Sequence, residues 1–170
     1  MKQIIFILAL IFTTSIYSQS IFEDSRSGNL EHLKTLYTSN SDIINAADSK
    51  GFTPLILAAY NEQTEIVKFL LEKKCDVNAK DLSGNTALMG VCFKGYLDIV
   101  KLLIDNGAGV NQQNYNDATA LIYASTFGHT EIAAFLLKNN ANEKITDNRG
   151  NTALNHAEMQ GNSEIIALLK

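Results

Sequence analysis

Three histidines (His32, His129 and His156) and two cysteines (Cys75 and Cys92) are the side chains best suited to bind a metal, move a proton or attack as a nucleophile. A zinc site wants such ligands in pairs a few residues apart, because one short turn must aim both at the same ion. None of the five has a partner at that spacing. Acyl transfer on a nucleophile elbow needs Gly-x-Ser-x-Gly, and phosphate binding needs a glycine-rich loop ahead of a helix. Neither is present, nor is any His-x-x-x-His pair. The expectation is a protein without catalytic residues, metal or cofactor.

The cysteines keep two readings. Cys75 aligns with Ala108 and Ala141, and Cys92 with Ala59 and Ser125, in the repeat described below. Those are slots for small side chains, where Cys serves as a compact hydrophobe. In an oxidising compartment the pair Cys75–Cys92 is instead a disulfide candidate, subject to the reach of about 7 Å between alpha carbons.

The elements around these residues follow from composition and pattern. The 170 residues are 46% hydrophobic and 19% charged, with one Pro and no Trp. That is a globular composition of single-domain size. Fourteen basic residues against 18 acidic ones give a net charge of -4, which lacks the basic footprint of a nucleic-acid binder.

Residues 1–18 read as an export signal. Lys2 is followed by nine consecutive apolar residues, IIFILALIF at 4–12, and then by TTSIYSQS. Nine residues suit a signal core and fall short of the ~20 that span a bilayer. Cleavage is expected after Ser18, with Ser15 and Ser20 as other positions and an uncleaved N-terminal anchor as the alternative. Loss of Lys2 leaves 13 basic against 18 acidic residues, a net of -5. The mature chain, 19–170, is expected to be periplasmic or secreted, monomeric and off the membrane.

From residue 48 the sequence repeats every 33 residues. Copies run 48–80, 81–113 and 114–146, followed by a truncated copy at 147–170. Thr53, Thr86, Thr119 and Thr152 share one register, as do Leu55, Leu88, Leu121 and Leu154, and Ile66, Ile99, Ile132 and Ile165. Each copy opens on Asp, Asn and Gly, which is turn chemistry. Thr then stands where a helix N-cap belongs, and Pro54 suits the first helical position. Gly95, Gly128 and Gly161 stand where a left-handed residue ends a helix. The second helix begins with an acid and carries one apolar face, as in Ile66, Val67, Phe69, Leu70 and Leu71. Two short helices cannot bury that face alone, so neighbouring copies must stack.

The residues Gly51-x-Thr53-Pro54-Leu55-x-x-Ala58-Ala59, Glu65-Ile66-Val67-x-x-Leu70-Leu71 and Asp76-Val77-Asn78 resemble the ankyrin repeat family. The resemblance covers 48–170 closely. A divergent first copy extends it over 21–47, through Gly28-Asn29-Leu30-Glu31 and Asp42-Ile43-Ile44-Asn45. It implies an all-α solenoid of helix-turn-helix units joined by β-turn loops, with capping copies at 21–47 and 147–170. The family's His after Pro-Leu is replaced by Ile56, Met89, Ile122 and Asn155, and its glycine after the first helix by Glu62. His129 stands where the family often has His, so its role is read as structural. His156 is expected to be solvated on the cap, and His32 to be partly buried.

The resemblance further implies that turn tips and first helices form a concave surface that grips another protein. Phe52, Tyr60, Leu82, Phe93, Tyr115, Phe127 and Met159 put bulky apolar side chains in those slots, and Lys94 and Arg149 put cations there. These nine are the expected protein-binding residues, since aromatic side chains dominate interface energetics. The function expected is a scaffold that binds without chemistry. The alternative is an inhibitor or protective protein that occludes an enzyme.

Overall fold

A computed structural model describes residues 20–170. The expected export signal lies outside the described residues. The chain divides into two compact units, one ending at Cys75 and one running Asp76–Lys170.

The first unit holds α1 (residues 20–27), α2 (Leu30–Ser39), a 3-10 turn (Ser41–Asn45), α3 (Pro54–Tyr60) and α4 (Thr64–Glu72). Ile21, Leu33, Leu55, Ile66 and Leu70 are buried within it at 1% exposure or less. α3 packs antiparallel-fashion beside α4 across a short turn, and the 3-10 turn packs on α2 and α3. Outside this core Tyr37 and Phe69 meet edge to face at 5.7 Å, with the Lys73 ammonium near both rings. The His32 imidazole does not enter the core: its side chain is 48% exposed, and Nδ1 lies 2.8 Å from Asp24 Oδ2. The expected partial burial of His32 is corrected, because the buried slots of α2 are taken by Leu33 and Leu36.

The second unit holds α5 (Ala87–Lys94), α6 (Leu97–Asp105), α7 (Ala120–Thr126), α8 (Thr130–Lys138), α9 (Ala153–Gln160) and α10 (Ser163–Leu168). First helices pack in one row, α5 on α7 on α9, and second helices in another, α6 on α8 on α10. Leu88, Ile99, Leu103, Leu121, Leu136 and Ile165 fill the space between the rows. Each is buried because stacking supplies the apolar surface that one helix pair lacks. Among the described residues there is no strand, only an isolated antiparallel bridge between Thr146 and Thr152.

The 33-residue period is a period of backbone geometry. Thr53, Thr86, Thr119 and Thr152 each accept the amide of the third helical residue. At every turn tip one side chain, Asp48, Asp81, Asn114 or Asp147, accepts two backbone amides, two and four residues on. Left-handed residues recur at Glu62, Gly95, Gly128 and Gly161 after the first helices and at Lys74, Gly107 and Asn140 after the second. Glu62, in the slot that holds glycine in the other three copies, is left-handed at φ 60°. Asn78 and Asn111 tie each copy to the next: each side chain accepts one amide, of Gly109 or Asn142, and donates to one carbonyl, of Gly107 or Asn140.

Candidate functional site

Turn tips in the second unit are joined without the family's His. Tyr115 N–H donates to Ser83 O at 3.1 Å, and Asn148 N–H to Asn116 O at 2.9 Å. Tyr123 and two amides complete the link. The Asn114 amide donates to Asn85 Oδ1 and to the Tyr123 hydroxyl, which itself donates to Asn85 Oδ1 at 3.2 Å. Burial, with the Asn114 amide opposing it, pushes the Tyr123 hydroxyl above its ordinary pKa, so it remains a donor. A phenol and two carboxamides thus link the two copies.

Of the seven bulky residues among the nine expected binding residues, Leu82 and Tyr115 are the most exposed, at 71% each, followed by Met159 at 63% and Phe127 at 47%. Lys94 and Arg149 are exposed, and Phe93 is half-buried. Phe93 and Phe127 meet edge to face with centroids 4.4 Å apart. One residue of α5 and the residue capping α7 thereby form a single apolar ridge. Tyr115 stands over Gly84, where an added Cβ would come within 3.1 Å of its ring. In the first unit Tyr60 is exposed and Phe52 half-buried.

Beside that ridge lies an open depression of about 300 Å³. Phe127, Ile122, Tyr123, Asn116, Asn148 and Arg149 are among the residues that line it. Asp147 and His156 also line it. His156 is not solvated as expected: Nε2 lies 2.8 Å from Asp147 Oδ2, and the His156 side chain is 19% exposed. Burial works against ionisation of Asp147, but hydrogen bonds from Asn151 N–H, His156 and Arg149 N–H outweigh it and hold its pKa below the ordinary 3.8. The carboxylate is a fixed strut of the turn. Tyr123, Asp147 and His156 were missed as lining residues in the sequence. The available signal was register: Tyr123 and His156 hold the same position 33 residues apart, on the side of the first helix that faces the turns.

The remaining chemistry-bearing side chains are structural. His129 Nε2 lies 3.1 Å from Phe93 O. Cys75 and Cys92 are buried thiols, and no disulfide joins them. Cys92 sits in α5 at 0% exposure, and burial pushes its thiol pKa up. The small-hydrophobe reading therefore holds for Cys92 in its slot. Among the described residues no group of three His, Cys, Asp or Glu side chains is placed to hold a metal, and no helix is long and apolar enough to cross a membrane.

Two curated proteins share a segment with this chain. The palmitoyltransferase akr1 of Schizosaccharomyces pombe is 43% identical over 58 residues, 34% of this chain and 9% of that protein. The human DNA-binding protein RFXANK is 39% identical over 59 residues, 35% of this chain and 23% of that protein. The chain thus matches less than a quarter of either relative. The family model for ankyrin repeats in three copies matches residues 22–114 and again 88–170. With the 33-residue backbone period and the two rows of stacked helices, this match shows that the chain belongs to the ankyrin repeat family.

Proposed function

We propose that the chain is a non-catalytic scaffold that binds another protein outside the cytoplasm of a bacterial-type cell. Ankyrin repeats commonly mediate protein–protein interaction, and the family is generally non-catalytic. The observation that carries the reading is the Phe93–Phe127 ridge with Tyr115 and Leu82 at the tips. Phe127, Tyr115 and Leu82 are large apolar side chains exposed on an otherwise well-packed unit. Solvation would favour polar residues there, and exposed aromatic clusters mark interfaces. Location outside the cytoplasm is supported by Lys2 and the apolar run 4–12. The activities in the relatives' names are not carried over. A net charge of -4 gives no general attraction to nucleic acid.

The test is a double substitution, Tyr115→Ala with Phe127→Ala, compared with the unaltered protein in affinity capture from a periplasmic extract. Both side chains are exposed, so the melting temperature is expected to hold while a specific partner is lost. A melting temperature lowered by several degrees together with unchanged capture would overturn the reading. If the captured partner is an enzyme and loses its activity on binding, the protein is an occluding inhibitor. Fractionation with N-terminal sequencing of the mature chain tests export and the cut after Ser18.

A further inference from the structure

The copy at 147–170 leaves open a surface that the two copies before it have covered. Leu88 and Leu121, Val100 and Ala133, and Leu103 and Leu136 stand in matching slots of those two copies, each at 1% exposure or less. On each of those copies a following helix pair packs: α7 and α8 on α5 and α6, then α9 and α10 on α7 and α8. The same slots in the last copy hold Leu154, Ile166 and Leu169, and all three are half-exposed. Among the described residues no further pair packs on α9 and α10. A cap that only has to meet water carries polar side chains in such slots. Here all three stay apolar, and Ile166 is larger than the alanine it matches in the copy before. Two charges share this end. Glu158 takes the slot of the fully buried Cys92 and Ser125, and Lys170 takes the slot of Leu137. Their side chains approach to 3.5 Å at 45% and 61% exposure. A pair so exposed holds its partner weakly.

We propose that this end face docks a second copy of the chain about a two-fold axis, so that Leu154, Ile166 and Leu169 of each copy cover those of the other. This replaces the monomer expected from the sequence with a weak dimer. The occupant follows from continuity. Within the second unit these slots are buried wherever another helix pair of the same kind packs on them, at Leu88, Val100 and Leu103 and again at Leu121, Ala133 and Leu136. Charge selects the two-fold form. One anion and one cation on the same face make it self-complementary, because an isologous contact sets Glu158 of each copy against Lys170 of the other. Head-to-tail stacking on α1 lacks that match in apolar surface, since the exposed residues of α1 are Glu23, Arg26 and Ser27. The inference goes beyond the protein-binding reading above and makes no use of the Phe93–Phe127 ridge.

The experiment is sedimentation velocity of the purified protein over a range of concentrations, with Glu158→Lys, Lys170→Glu and Ile166→Glu alongside. A monomer–dimer equilibrium with a Kd of about 1–100 μM is expected, as for a small and transient interface. Each variant should weaken it about tenfold or more, because like charges or a desolvated charge then meet across the axis. Mixing Glu158→Lys with Lys170→Glu is the sharpest arm. Each variant alone carries a single sign of charge at these two positions, so the mixture should recover a dimer with one chain of each. Failure of the mixture to do so would overturn the two-fold pairing. A protein still monomeric at about 1 mM, or assemblies larger than a dimer, would overturn the proposal. So would a dimer that is broken by Tyr115→Ala with Phe127→Ala but survives Ile166→Glu. None of these outcomes touches the protein-binding reading, which is tested at Tyr115 and Phe127. Melting of each variant separates lost docking from lost folding, and the two charge reversals, both at exposed positions, keep the test open if Ile166→Glu unfolds the last copy.

Discussion

His129 Nε2 lies 3.1 Å from the carbonyl oxygen of Phe93, in the preceding copy. A carbonyl only accepts, so the proton sits on Nε2 and His129 donates. The same ring occupies the space above Gly95: a Cβ added there would come within 2.6 Å of His129 Cε1. The imidazole therefore ties one copy to the next and fixes the residue beneath it as glycine. This contact also holds the carbonyl end of α5, next to the Phe93 side chain that forms the apolar ridge.

Gly95→Ala is expected to destabilise the protein by about 2–4 kcal/mol. The left-handed backbone, φ 87°, contributes about 1–2 kcal/mol of that and the clash with His129 the remainder. Adding His129→Ala should recover the clash but not the backbone cost. Denaturant unfolding of both singles and the double closes the cycle. Additive effects would show that the ring does not constrain Gly95.

Glu62→Gly should stabilise the first unit. Glu62 holds a φ of 60° where the second unit has Gly95, Gly128 and Gly161. Relief of that strain is worth about 1–2 kcal/mol, and the freer unfolded chain of a glycine takes back part of it. A net gain of about 0.5–1 kcal/mol is expected, read as a raised midpoint at unchanged slope in urea.

Ser125→Ala should be neutral or stabilising by up to about 1 kcal/mol. Ser125 is fully buried in α7, and its Oγ has no hydrogen-bond partner. Alanine already stands in the matching slot at Ala59, so the smaller side chain fits the packing. Removing a buried hydroxyl without a partner removes its desolvation cost. A loss above 1 kcal/mol in melting or denaturant experiments would reveal a hidden partner.

Asp147 should make stability fall in acid. Its folded pKa lies below the ordinary 3.8. Its contribution is thus fully present above that ordinary value and is lost as the pH falls through the lower folded value. Asp147→Asn should keep the turn, because Asn114 accepts the same two amides in the preceding copy. It should also flatten the stability curve between about pH 5 and 2. An identical acid profile in both proteins would mean that the carboxylate charge does not support the fold.

The period, the helix pairs and their caps were legible in the sequence, because each rests on local chemistry repeated in register. Thr before an apolar run caps a helix wherever it occurs, and Thr53, Thr86, Thr119 and Thr152 all do so. Gly95, Gly128 and Gly161 fall where a backbone without Cβ is needed, and even the exception at Glu62 was visible as a strained slot. Burial of Leu88, Ile99 and Leu121 follows from the same pattern, since a one-sided helix needs a neighbour.

Tertiary structure alone decided how the slots left open by that pattern are used. Phe93 and Phe127 are not at equivalent positions, and only the stacking of α5 on α7 brings their rings to 4.4 Å. His156 reads as a solvated cap residue until the turn before α9 folds back and sets Asp147 against it. Two neighbouring copies are joined by hydrogen bonds among Tyr123, Asn85 and Asn114, side chains drawn from both. A repeat pattern fixes backbone register, which is local. Contacts between variable side chains depend on distances across copies and on rotamers, and no single copy contains that information.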